Sequence, residues 1–211
     1  TIGFFVLLKK ALKTSDPNTR ALIERISDQL YRYDQLLRDL LDFARVGVEK
    51  VERGQVDARS VVDSILEDHE VLEGERAHNV HIQENMPSIL MNETRVHQIF
   101  ENLISNSLKF RKKNQPLEIE VGTTSRAFGR EIPPGFAVFF VRDNGIGIHP
   151  GDHSVIFSLF SRTEEGEKKN GTGVGLSIVK RILETEGGWI DVESEPDKGA
   201  TFFLCLPVAE A

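Results

Sequence analysis

The sequence predicts an α+β chain in two parts: a helical hairpin that pairs with a second copy into a four-helix bundle, then an α/β sandwich. Three observations carry this. Apolar residues between 17 and 46 recur at alternating spacings of three and four, the seam of a coiled coil or bundle. From about residue 55, strand-like alternation and amphipathic helical stretches follow one another in mixed order. Three polar clusters, two of them rich in glycine, occur only in this second part.

Residues 1–46 are helical in pattern, interrupted by "TSDPNTR". Ser15 or Asp16 suits an N-cap, and Pro17 falls in the first turn, where a missing N–H costs nothing. Ile23, Ile26, Leu30, Tyr33, Leu37, Leu40 and Ala44 then form one seam, and Leu22, Leu36, Leu41 and Phe43 add a second stripe. Two stripes bury more than one face, so a dimeric four-helix bundle through residues 1–46 is expected. The charged stretch "GVEKVERGQ" marks the boundary, dividing the chain into 1–50 and 51–211.

In the second part, "QVDARSVVDSILEDHEVL" reads as a short strand and a helix, and "VHIQENM" and "SILMN" as strands. Asn92 is a good N-cap for "ETRVHQIFENLISNSLKFRKK", whose Val96, Ile99, Phe100, Leu103, Ile104 and Phe110 point to a core. "LEIEVGT" and "GFAVFFVRD" are strands joined by a long polar turn, "TSRAFGREIPPG". A helix at about 173–186 precedes the strands "GGWIDVESE" and "GATFFLCLP".

Composition narrows the function. The formal net charge of −7 argues against a nucleic-acid partner, since phosphate backbones reward clustered Lys and Arg. Lys109, Arg111, Lys112 and Lys113 form a basic cluster too short for such a stripe. No apolar run is long enough to span a membrane, and "TIGFFVLLKKAL" breaks at Lys9 and Lys10. The chain begins at Thr1, so a longer protein with a sensor or anchor upstream is expected. Cys205 reads as a small buried hydrophobe, and a lone cysteine fits a reducing cytoplasm. His69, His78, His81, His97, His149 and His153 lack metal-ligand spacing and read as packed or solvated.

The chemistry lies in the clusters. Asn102, Asn106 and Lys109 in "NLISNSLKF" share one helix face. Two carboxamides and an ammonium suit an anionic ligand with its magnesium, although a solvated face would read the same. In "RDNGIGI", Asp143 ends a strand before a Gly-x-Gly turn. It either initiates the turn or accepts from an exocyclic amine such as that of adenine. "GTGVGL", residues 171–176, opens a helix and aims backbone N–H groups at a phosphate. It is neither a Walker A loop nor a dinucleotide fingerprint. "SRTEEGEKKN" before it has the composition of a lid.

In this order the clusters resemble the catalytic core of sensor histidine kinases, with the Bergerat-type ATP-binding fold shared by the kinase, gyrase and Hsp90 superfamily. The resemblance covers nearly the whole chain. "NLISNSLKF" is similar to the N box, "DNGIGI" to the G1 box, "IFSLFSR" to the F box, "GTGVGL" to the G2 box and "GATFFLCLP" to the closing strand. Residues 1–50 resemble the dimerisation and phosphotransfer hairpin, and "KFR" and "DLLDFARVG" lean toward phytochrome-like kinases.

The resemblance implies a two-component protein-histidine kinase that uses ATP and Mg²⁺, acts in the cytoplasm as a homodimer and hands its phosphoryl group to a response regulator. By the same match Asp143 binds the adenine amine with help from Thr201, Asn106 holds Mg²⁺, and Asn102 and Lys109 serve the phosphates. Gly145 and Gly147 clear room at the base beside Ile148, and Phe157 and Phe160 anchor the lid. Gly171, Thr172, Gly173, Val174, Gly175 and Leu176 present the phosphate loop.

ATP-hydrolysing relatives carry a glutamate where this chain has Asn102, and an amide is no general base. Glu101 is expected to be turned about 100° away, so transfer is favoured over hydrolysis. No His-acidic acceptor motif occurs in residues 1–50, where the family carries it, and the match places it shortly before Thr1. The alternatives are a nucleotide-binding pseudokinase or scaffold without the acceptor, and a protein kinase of the anti-sigma class, which the hairpin argues against.

Overall fold

A computed structural model describes residues 17–47, 52–73, 78–161 and 172–209. The expected first helix, the "TSDPN" connection before Pro17, part of the domain boundary, Gly171 and nearly all of the lid segment lie outside the described residues.

Helix α1 (Pro17–Arg45) carries the predicted seam on its surface. Ile26, Tyr33, Leu37 and Leu40 of the seam are exposed, each by 40% or more. The second stripe divides, with Leu22 and Leu41 each 58% exposed. Leu36 and Phe43 pack against the core of the sandwich, and Val46, just beyond the helix, is buried in it. The C-terminal half of α1 is therefore seated on the second part of the chain.

Strand β1 (Gly54–Val56), helix α2 (Ala58–Glu73), strand β2 (His78–Ile82) and strand β3 (Ile89–Met91) follow. Helix α3 (Glu93–Lys109) is N-capped by Asn92, whose side chain accepts from the Arg95 N–H, as expected. It stops at Lys109, earlier than the apolar pattern suggested, and Phe110 is only half buried. Strands β4 (Leu117–Thr124) and β5 (Phe136–Asp143), a 3₁₀ turn (Pro150–Asp152), helix α4 (Gly175–Thr185) and strands β6 (Trp189–Ser194) and β7 (Ala200–Pro207) complete the chain.

β1 and β3 form a two-stranded ribbon, and the main sheet runs β2-β4-β5-β7-β6. Among the described strands, only the β2–β4 pair is parallel. Period-two alternation sorts the side chains of the central strands. Phe139 and Val141 of β5 and Phe202, Leu204 and Leu206 of β7 join the core with Ile99, Leu103, Ile178 and Ile182 of the helices. Val138, Phe140, Phe203 and Cys205 form a second cluster on the opposite face with Trp189.

That opposite face is covered by the segment expected to be a polar turn. Phe128 and Ile132 pack on it, with the Phe128 ring centroid 4.3 Å from that of Phe203. Arg130 lies 5.4 Å over the Trp189 ring, whose N–H donates to the Glu131 carbonyl. Two apolar side chains in a polar stretch are enough to close a sheet face that water would otherwise meet. Cys205 is buried there, and burial pushes its thiol up to about 11, in keeping with a packing role.

One buried ion cluster ties α3 to the end of α4. Arg95 donates to Glu186 at 3.0 Å, and Arg53 lies 2.8 Å from the second Glu186 oxygen at an angle outside hydrogen-bond geometry. The Glu186 side chain is 4% exposed and that of Arg95 10%. Removing the carboxylate takes a buried counter-charge away from Arg95. Glu186→Ala is expected to lower the unfolding free energy by about 3–5 kcal/mol, read as a fall in the urea midpoint.

Candidate nucleotide site

The three clusters converge. One cavity of about 1310 Å³ is lined by Asn102, Asn106 and Lys109 from α3, by Asp143, Gly147 and Ile148 after β5, and by Thr172, Gly173, Gly175 and Leu176 at α4. Small-molecule pockets usually hold roughly 300–1,000 Å³, so room remains for a second reactant.

Asp143 forms the deep end. Its Oδ1 accepts from the Gly145 N–H at 2.8 Å and the Ala200 N–H at 3.3 Å. Its Oδ2 lies 3.2 Å from Ser107 Oγ. Burial raises the carboxyl above its ordinary value, while the Gly145 and Ala200 amides, Ser107 and the Lys112 charge pull it down. The net shift is upward, because the burial of the group outweighs its donors.

The opposite end is built from α3 and α4. Asn102 donates Nδ2 to the Gln98 carbonyl at 2.7 Å, which turns its Oδ1 toward Gly175. A Cβ at Gly175 would collide with that oxygen, so glycine is required there for close approach. α4 begins at Gly175 behind Val174, with no side-chain cap. Its first amides point their partial positive charge at the cavity. The arrangement fits an anion there.

Several expectations are corrected. Thr201 does not assist Asp143. It shares the parity of Phe203 and Cys205, so it faces the other side of the sheet, where Arg142 Nε donates to its hydroxyl. Ala200 and Phe202 line the cavity instead. Gly147 lines the cavity and Gly145 does not, and both make room for the chain itself. A Cβ at Gly145 would press on the Phe110 carbonyl, and Gly147, at φ +72°, lies against the Glu195 carbonyl. Val174 is fully buried in the core, and Phe160 is 50% exposed with φ +62°; neither lines the cavity. Phe157 is half buried and meets Phe202 edge-on at 6.4 Å, a fit to an anchor of the lid's near end. Gly171 lies outside the described residues.

Glu101 is also placed differently. It lines the cavity beside Asn102, and His69 Nε2 sits 3.1 Å and 3.3 Å from its two oxygens. His69 is thus partnered across to α3, and His149 lines the cavity while its Nδ1 accepts from the Gly151 N–H.

Sequence reasoning missed Ser107, Gln35, Asp39 and Asp42. Ser107 had a signal, since it is a hydroxyl in the 4-3-4 stripe with Val96, Phe100 and Leu103, and it is buried. The other three line the cavity from α1, which spacing within the second part could not reveal.

A model of the histidine kinase-, DNA gyrase B-, and HSP90-like ATPase family matches residues 91–210. The methanogenesis regulatory histidine kinase FilI of Methanothrix harundinacea is 34% identical over 208 residues, covering 97% of this chain and 22% of that protein. Cyanobacterial phytochrome B of Nostoc sp. is 35% identical over 179 residues, covering 83% of this chain and 22% of that protein. The chain thus spans about a fifth of the length of these relatives. Among solved structures, full-length ShkA in complex with AMPPNP superposes with TM-score 0.72 at 26% identity, covering 100% of this chain and 42% of that one. The Acinetobacter baumannii histidine kinase AdeS shares the fold, with TM-score 0.66 at 16% identity over 99% of this chain and 94% of that one.

The raised Asp143 carboxyl has a measurable sign. An acid raised on folding costs nothing below its ordinary pKa, and its cost grows as pH rises to the folded value. Asp143→Asn removes that cost. Between about pH 3 and pH 7, the melting temperature of the variant minus that of the wild type is expected to shift in the variant's favour as pH rises.

Proposed function

The chain belongs to the histidine kinase-, DNA gyrase B- and HSP90-like ATPase family, and it carries a sensor histidine kinase catalytic core. From that premise we propose that it binds ATP with magnesium in the cavity described above and passes the terminal phosphoryl group to a histidine outside this chain. The observation that carries the reading is the single cavity. It has a buried amine-accepting carboxylate at one end, an uncapped helix N-terminus at the other, and an Asn/Lys stripe between them.

The residues divide the work. Asp143 Oδ2 would accept from the adenine amine, because Oδ1 is already engaged by two amides. Ser107 would hold that carboxylate in place. Gly173, Gly175 and the first turn of α4 would offer N–H groups to phosphate oxygens. Lys109 would offset phosphate charge, and Asn106 would offer a hard oxygen to Mg²⁺. Magnesium, when bound, neutralises developing charge on the phosphates.

Transfer is favoured over hydrolysis by the α3 side chains. Asn102 has no basic lone pair at neutral pH, and its Nδ2 is held by Gln98. Glu101 faces the cavity but is hydrogen-bonded to His69. Water is left without a base at the place of Asn102, so catalysis would rest on orientation and charge. The wider reading is a cytoplasmic two-component kinase whose partner is a response regulator receiver domain. Its homodimer would form through the exposed seam of α1.

Two measurements test this. Titration calorimetry of the chain with Mg·AMPPNP is expected to show binding, weakened at least about a hundredfold in Asp143→Asn and Asn106→Asp, with circular dichroism unchanged. That loss corresponds to two charge-assisted contacts or fewer. Unaltered affinity in both variants would refute the site. Sedimentation equilibrium is expected to show a dimer that Leu37→Asp converts to monomer, since Leu37 is 61% exposed on the seam.

A further inference from the structure

Helix α1 supplies an anion to the phosphate end of the cavity. Thr172 Oγ1 donates to Asp39 Oδ2 at 2.5 Å, a short charge-assisted bond between residues 133 positions apart. The other Asp39 oxygen accepts from Gln35 Nε2 at 2.9 Å, one helical turn earlier, which fixes the direction of the carboxylate. Gln35, Asp39 and Asp42 line the same cavity as Asn102, Gly173 and Gly175.

The helix is docked about one turn further on as well. Arg181 of α4 stacks over the Phe43 ring at 4.6 Å and donates Nε to the Val46 carbonyl at 3.2 Å. α4 therefore touches α1 through Arg181, and Thr172, three residues before α4 begins, meets Asp39. Behind this loop the helix N-terminus has no side-chain cap. A loop arranged for phosphate oxygens thus has a carboxylate of the same chain bound to its hydroxyl.

We propose that Asp39 is an affinity-setting residue of the nucleotide site, an internal anion that competes with the phosphates for the loop at Thr172 and so couples nucleotide binding to the seating of α1. This rests on the nucleotide reading above and goes beyond it. A triphosphate brings negative charge beside Asp39, Asp42 and Glu101, all facing the cavity. Like charges at short range repel strongly where solvent is partly excluded. Binding then requires Asp39 to leave Thr172, and what loosens α1 strengthens nucleotide binding by the same factor. Adenosine, which carries no phosphate, does not meet this competition.

The test compares Mg·AMPPNP and adenosine on the 211-residue chain by calorimetry, with Asp39→Asn against wild type. The substitution removes the charge and keeps a similar shape. Asp39→Asn is expected to bind Mg·AMPPNP about tenfold more tightly, inside the roughly 5–150-fold range of site-to-site coupling, with adenosine affinity unchanged. Amide hydrogen exchange supplies the reciprocal reading: Mg·AMPPNP is expected to speed exchange in residues 35–46 of the wild type and to have less effect in the variant. Equal Mg·AMPPNP affinity in the two proteins overturns the proposal, as does an equal gain for adenosine. Absence of heat with either ligand in both proteins overturns the nucleotide reading itself.

Discussion

The site depends on a carboxylate held where burial disfavours it. Asp143 ends β5, the central strand, and its oxygens gather donors from three places: the turn after β5, the first residue of β7 and the interior of α3. Burying a charge without such partners would cost several kcal/mol. Two amides and a hydroxyl offset that cost, though not wholly, since the carboxyl remains raised. These contacts also lock the turn, the strand and the helix in one relation. Gly199, at φ +81°, sits against the Asp143 carbonyl, and Gly145 against that of Phe110. The turn is tight because the carboxylate must reach its amides, and the glycines follow from that tightness.

Much of this was legible because it is local. The α3 stripe of Asn102, Asn106 and Lys109 follows from helix periodicity, and the Asn92 cap from side-chain chemistry. The glycine-rich opening of α4 was readable as an anion-binding turn. The reason for each glycine was not. Gly175 answers to Asn102 across the cavity, a pairing that no spacing within either segment encodes.

What the sequence hid depends on parity and distance. Ala200 and Thr201 are neighbours, yet a strand sends them to opposite faces, and one residue decides which lines the cavity. A polar hydroxyl looked the better partner for Asp143, whereas the bond comes from the backbone of an alanine. The stretch at 125–135 read as solvent-facing because polar residues dominate it. Phe128 and Ile132 nonetheless decide its fold, since the exposed sheet face offers them a partner. Glu101 shows the same limit for helices. The cavity is wide enough that a residue turned away from Asn102 still reaches it.

The second stripe of α1 draws these threads together. Read alone, it demanded a bundle partner, and the exposed seam still does. Leu36 and Phe43 instead serve the sandwich, so one helix carries two interfaces on two faces. Such a helix cannot turn about its axis without disturbing both. Arg181 binds it next to α4, and α4 begins at the loop that meets Asp39. The seam face and the cavity are thus linked by contacts that run from α1 through α4 and Thr172.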